Sequence, residues 1–221
     1  MATLSNRLFV LVLRHPQEKR EPLATGQLLV DQLSRGHVAT GLSWPKLAKA
    51  LEGAKTTPPP ASPPKSWGVL YLGSAHPGEI LNTQEKLSRR QDRVLALTLK
   101  GERMADEQEA LAMLRGIVVL DGTWAQSKSM WWKNPWLTKL QRLVLVPARG
   151  SLYGKVRREP RRECLSTLEA AAHTLSFLEH KPEIIDALTP PLLALLAQHA
   201  SPPAQTKPAP QPTAPRPPVN G

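Results

Sequence analysis

Four apolar runs decide most of what this chain can fold into. "RLFVLVLRH" (7–15), "WGVLYLGS" (67–74), "RGIVVLD" (115–121) and "QRLVLVP" (141–147) are rich in leucine and β-branched residues. Each is short for a helix, and none alternates polar with apolar positions. Runs of that kind are strands buried on both faces. Burying them needs a sheet covered on both sides, and the segments between them read as its cover.

The later part of "EPLATGQLLVDQLSRG" (21–36) is a predicted helix, with leucines at 23, 28, 29 and 33 and a glycine stop. "HVATGLSW" (37–44) reads as a short strand and turn. "PKLAKALEG" (45–53) is a predicted helix with proline at its first position and glycine at its stop. "RVLALTLKG" (93–101) fits either a strand or part of a helix, and "ERMADEQEALAML" (102–114) a charged amphipathic helix. "CLSTLEAAAHTLSFLEH" (164–180) sets apolar residues at 165, 168, 172, 175 and 178, one helical face. A last helix over 183–199 is expected to be interrupted at Pro190-Pro191.

The expectation is one α/β domain over residues 1–200, a mainly parallel sheet flanked by helices. Proline-rich stretches at 56–66 and 201–221 cannot pack a core. The first is expected to be a loop and the second a disordered tail. In such sheets ligands bind beyond the carboxyl ends of the strands, which places Ser74, Asp121 and Pro147 at a candidate site.

Net charge is +11, with 29 Lys and Arg against 18 Asp and Glu. That balance points to a polyanionic partner, most simply nucleic acid. Cys164 stands alone, so no internal disulfide or cysteine-based metal cluster is possible and a reducing cytosol suits the chain. The opening residues do not read as a signal peptide and no apolar run is long enough to span a membrane, so the expected location is cytoplasmic. The six histidines lack metal-ligand spacing, and no metal is expected. Phosphate-binding P-loops, dinucleotide-binding glycine motifs, zinc-protease helices and serine nucleophile elbows are absent.

Two segments have the S/T-x-x-E/Q pattern of a capping box: Thr123 with Gln126, and Ser166 with Glu169. Capping does not explain Asp121. A carboxylate ending an apolar strand is paired, capping, or offered to a ligand. Gly122 beside it permits a close approach or a positive φ. Trp131, Trp132 and Trp136 read as packing residues, and Trp124, next to the strand end, as the functional aromatic. Basic residues cluster at "RHPQEKR" (14–20) and "YGKVRREPRRE" (153–163), where they could neutralise RNA phosphates.

Leu120-Asp121-Gly122-Thr123-Trp124 with Gln126 and Lys128, then Asn134-Pro135-Trp136-Leu137, resembles the signature of the DTW-domain proteins. That family includes tRNA-uridine aminocarboxypropyltransferases. "HPQEKREPLATGQL" (15–28), "VLYLGSA" (69–75) and "YGKVRREPRRECLSTLEA" (153–170) resemble three further family segments. The likeness spans roughly residues 8–180, in four ordered motifs. The chain departs from it in lacking the cysteine-rich knuckle with which members commonly begin. It also carries Ala24 where Asn is frequent, and residues 82–115 look like an insertion.

The resemblance implies a fold akin to the knotted SPOUT methyltransferases, with a C-terminal knotted cofactor site. It implies transfer of a 3-amino-3-carboxypropyl group from S-adenosyl-L-methionine to N3 of a tRNA uridine, releasing methylthioadenosine. Asp121 and Trp124 would be catalytic. The cofactor would be bound by Leu72, Gly73, Ser74, Leu120, Asp121, Gly122, Thr123, Trp124, Pro147, Leu165, Ser166, Thr167 and Glu169. RNA would be held by Arg14, His15, Lys19, Arg20, Lys128, Tyr153, Lys155, Arg157 and Arg158. Asp121 could be the base for uridine N3 or the anchor of the cofactor's ammonium. Methyl transfer within the same fold, or RNA binding without catalysis, are the alternatives.

Overall fold

The computed structural model describes residues 3–75, 91–153 and 165–199. The apolar runs become strands β1 (Phe9–Arg14), β3 (Trp67–Leu70), β5 (Gly116–Asp121) and β6 (Gln141–Val146). Gly36–Thr40 adds β2, and the ambiguous run at 93 becomes β4 (Arg93–Leu97). They form one six-stranded sheet in the order β2-β1-β5-β3-β6-β4. All described pairings are parallel except β4 against β6 at the edge.

Described helices are α1 (Gly26–Gln32), α2 (Leu47–Ala50), α3 (Glu107–Ala112), α4 (Trp124–Lys133), α5 (Thr167–Glu179) and α6 (Glu183–His199). Alternate residues of each strand point to opposite faces, so the sheet feeds two cores. Val10, Val12, Ile117, Val119 and Leu143 meet α1, α5 and α6 through Leu29, Leu168, Leu175, Ile184 and Leu188. Phe9, Leu11, Leu13, Val118 and Leu120 meet Leu47 of α2 and Met130 and Trp131 of α4 on the other face. Helices thus flank both sides, as the doubly buried runs require.

Three expectations change. The Pro190-Pro191 pair does not interrupt α6. A proline removes the hydrogen bond to the carbonyl four residues earlier. Those carbonyls belong to Asp186 and Ala187, both exposed, where water can satisfy them, while Ile184, Leu188, Leu192 and Leu196 hold the opposite face in the core. Pro45 does not open α2; Lys46 is its N-cap and the helix is a single turn. Trp132 does not pack: Trp131 and Trp136 are buried, but Trp132 is 72% exposed. The proline-rich loop at 56–66 holds only the 3-10 turn Pro64–Ser66. The tail 201–221 lies outside the described residues.

Just before β4, the Asp92 carboxylate lies 2.5 Å from Nδ1 of His173 on α5 and accepts the Ala148 amide at 2.9 Å. Burial would raise its pKa, but those two hydrogen bonds and the charges of His173 and Arg149 outweigh it and hold the carboxyl below its usual value of 3.8. A lowered folded value means the contribution is present above 3.8 and is lost as pH falls through the folded value. Melting temperatures across acid pH should show wild type above Asp92→Asn near neutrality and the two converging in acid. Parallel curves would refute the assignment.

Candidate active site

Parallel pairing brings the carboxyl ends of β1, β5, β3 and β6 to one edge. β1 and β5 are neighbours, with Arg14 opposite Asp121. From β1 the chain proceeds to β2 on one side, and from β5 to β6 on the other. Connections that diverge this way open a crevice between the two strand ends. A cavity of about 540 Å³ lies there.

Its walls come from the 3-10 turn after β1 (Glu18) and the segment leading into α1 (Leu23, Thr25), from the ends of β3, β5 and β6, and from the starts of α4 and α5. Leu70, Leu72, Val119, Leu120, Leu145 and Leu165 make it largely apolar. Most of its polar groups lie at the end of β5 and at or near the starts of α1, α4 and α5, with Glu18, Tyr71 and Tyr153 elsewhere in the wall. That balance, and a volume within roughly 300–1,000 Å³, is usual for small-molecule sites.

Asp121 is 3% exposed, and its Oδ1 accepts the Thr167 hydroxyl at 2.6 Å. Strand end and helix start are thereby joined across 46 residues. Both capping boxes form. The Gln126 amide donates to Thr123 Oγ1 at 3.3 Å, and the Thr123 amide donates to Gln126 Oε1 at 2.7 Å. At α5 the Glu169 amide donates to Ser166 Oγ at 3.1 Å, and the Ser166 amide to Glu169 Oε2 at 3.0 Å.

Thr25 and Gly26 act on the same junction. Thr25 is buried, and its Oγ1 accepts the Leu168 amide at 3.1 Å, a second capping bond for α5. Gly26 packs on Asp121 so closely that a Cβ there would overlap Oδ2. Gly122 is not among the residues with positive φ; its close approach is to Gln126, whose Cβ and Oε1 would lie 3.0 Å from an added Cβ.

Trp124 sits at the cavity's lip, 39% exposed, and stacks on Tyr71 with ring centroids 6.0 Å apart. Tyr71 stacks in turn on Trp131 at 4.6 Å, and the Arg142 guanidinium lies 5.6 Å from the Trp131 ring. Burial raises the Tyr71 pKa, so the phenol stays neutral at ordinary pH.

Of the residues expected to bind a cofactor, Leu72, Leu120, Asp121, Gly122, Thr123, Trp124, Leu165, Ser166 and Thr167 line this one cavity. Gly73 and Ser74 belong to the 3-10 turn Leu72–Ser74 behind Leu72. Pro147 follows β6, whose lining residue is Leu145. Glu169 turns away from the cavity. Besides its cap, it accepts the Ser151 hydroxyl at 2.8 Å and the Leu152 amide at 2.6 Å, anchoring the loop that carries Tyr153.

Tyr153, expected at an RNA surface, is 3% exposed in the cavity wall and donates its hydroxyl to the Leu23 carbonyl at 2.7 Å. Its apolar ring is worth more buried than exposed. Arg14 bonds Thr40 Oγ1 through Nε at 3.0 Å, and Nδ1 of His15 accepts the Gln17 amide at 3.3 Å. Lys19 and Arg20 are exposed and line a wider groove that shares Glu18, Leu23 and Thr123 with the cavity. Lys128 is exposed on α4. Lys155, Arg157 and Arg158 lie outside the described residues.

Glu18, Thr25, Tyr71 and Ser127 also line the cavity, though residue patterns did not single them out. Glu18 was legible only as part of the family segment "HPQEKREPLATGQL", because in a run as basic as "RHPQEKR" nothing local marks one side chain as 3% exposed. Thr25 and Gly26 were legible only as the Thr-Gly pair of the family segment.

The family model for the DTW domain matches residues 1–200. This chain belongs to the DTW-domain family. Among similar curated proteins is the tRNA-uridine aminocarboxypropyltransferase 2 of Drosophila melanogaster, 30% identical over 189 residues, which are 84% of this chain and 62% of that protein. Proteins of the same name from Macaca fascicularis and Mus musculus are each 40% identical over 79 residues, 36% of this chain and 26% of theirs. This DTW-domain chain therefore spans less than two thirds of the curated relatives it matches. No solved structure matches it.

Proposed function

We propose that this chain transfers a 3-amino-3-carboxypropyl group from S-adenosylmethionine to N3 of a uridine in tRNA, leaving methylthioadenosine. The observation that carries the reading is the buried Asp121 carboxylate, held by Thr167 at the edge of a ligand-sized cavity. The names of the relatives supply the group and the base.

The residues present suit such a donor. Apolar walls can take an adenosine and a methylthio group. Helix starts favour a carboxylate, because the first amides of a helix have no partner within it. At α5 the amides of Leu168 and Glu169 are already engaged by Thr25 and Ser166, so Thr167 is the amide we assign to that contact. The bound donor would supply a carbon made electrophilic by its sulfonium. Asp121 would accept the N3 proton of the uridine, and Thr167, donating to Oδ1, would fix the carboxylate's orientation. Trp124, at the lip, would meet the base or the positive charge with its ring face. Lys19, Arg20 and Lys128 would take RNA phosphates outside it, with Lys155, Arg157 and Arg158 of the second basic run.

Within this reading the fold is a SPOUT-like one with its cofactor site at a C-terminal knot, residues 1–200 are one transferase domain working in the cytosol, and 82–115 is an insertion in it. Incubating the protein with bulk tRNA and S-adenosylmethionine, then digesting the RNA to nucleosides for mass spectrometry, tests the reaction. Aminocarboxypropyl-uridine together with methylthioadenosine is the expected result. A methylated nucleoside with S-adenosylhomocysteine would make the enzyme a methyltransferase instead. An unmodified digest would remove the catalytic reading.

A further inference from the structure

The solvent face of α4 meets the cavity only in its first turn. Trp124, Lys128 and Trp132 recur there at every fourth residue, and all three are exposed. Residues four apart on a helix are neighbours, so the three side chains make one ridge. It begins at the cavity's lip and ends about 12 Å away, at ~1.5 Å per residue. Trp132 is more exposed than any other large apolar side chain among the described residues. The core does not need it, because Met130 and Trp131 already bury the helix's other face. A tryptophan is costly to leave in water without a partner.

The surrounding charge indicates which partner. Between Asp121 and Glu159 the chain has no acidic residue, while Lys128, Lys133 and Lys139 are exposed on and just after α4. A second copy of the chain docking here would bring these lysines against each other. A flexible polyanion with exposed aromatic faces fits both features: lysines for phosphates, indole for an unpaired base.

We propose that this ridge is the docking track for the single-stranded RNA that flanks the target uridine. Trp132 stacks on an unpaired base, and Lys128 holds a phosphate between that base and the cavity. The inference rests on the proposed action on RNA uridine, and adds where and by what chemistry the substrate strand is held.

The test is fluorescence anisotropy of labelled bulk tRNA, without donor, over a salt series. Trp132→Ala should weaken binding by roughly 5- to 150-fold, the span of single-base stacking losses. Trp132→Phe should recover most of it, because the stacking face returns. Lys128→Gln should weaken binding and lower the log–log salt slope by about 0.7, as expected for one lost phosphate contact on a single strand. A uridine-rich single strand should compete better than duplex RNA. Melting temperatures should match wild type, since both side chains are exposed. Wild-type affinity in Trp132→Ala would overturn the track while leaving the transferase reading standing. So would a wild-type dimer that Trp132→Ala converts to monomer with tRNA affinity unchanged, because the ridge would then be a self-association surface. A wild-type protein that binds no tRNA would overturn both readings.

Discussion

Asp121→Asn is expected to lower kcat for aminocarboxypropyl transfer by about 10²- to 10⁴-fold, the range for loss of a positioned general base. The replacement keeps shape and an acceptor for the Thr167 hydroxyl, so the junction between β5 and α5 should survive and the melting temperature should change little. What disappears is the ability to take a proton. As a base, Asp121 governs kcat and leaves donor binding unchanged. If it instead anchored the donor's ammonium, the loss would appear in the donor's KM and in direct donor binding. Full activity in the variant would remove Asp121 from the reaction altogether.

Gly26→Ala is the second variant with a large expected effect. Alanine ordinarily favours a helix over glycine by about 1 kcal/mol. Here its Cβ would overlap Oδ2 of Asp121 and lie 2.9 Å from Cγ1 of Val12, inside a packed junction. Overpacking of that kind costs about 1–3 kcal/mol. The expected outcome is a melting temperature lower by several degrees, with transfer reduced because the carboxylate must move. A variant as stable and as active as wild type would show that the junction yields without cost. Thermal denaturation and the nucleoside assay on the same preparation separate the two effects.

Both variants probe one junction, which different levels of information reveal to different degrees. The strand runs were legible because a doubly buried strand needs continuous apolar sequence, and that pattern is local. Both capping boxes were legible for the same reason: cap and N3 residue are three apart. Asp121 stood out as a carboxylate that no local rule explained. The family signature added the motif-bearing segments around it, which no periodicity could assign.

Other features depend on neighbours distant in sequence. Thr167 meets Asp121 across 46 residues, and Thr25 meets Leu168 across 143. Tyr153 reads as part of a basic surface run, yet the loop held by Glu169 turns it into the cavity wall. Trp131 and Trp132 are adjacent and chemically identical. The helix's 100° step per residue buries one and exposes the other. Pro190 and Pro191 carry a breaker's chemistry, but where α6 lies relative to water decides whether the lost bonds matter.

By itself the sequence determined most of the elements, the α/β class and the carboxylate that ends β5 at the cavity, because periodicity, capping and a carboxylate at a strand's end are set within a few neighbouring residues. The tertiary structure decided which strands are neighbours, and so where two connections diverge and open a cavity. It also decided which polar groups converge on Asp121 and which tryptophan faces water. Those are set by packing between segments far apart in the chain, and no local pattern encodes them.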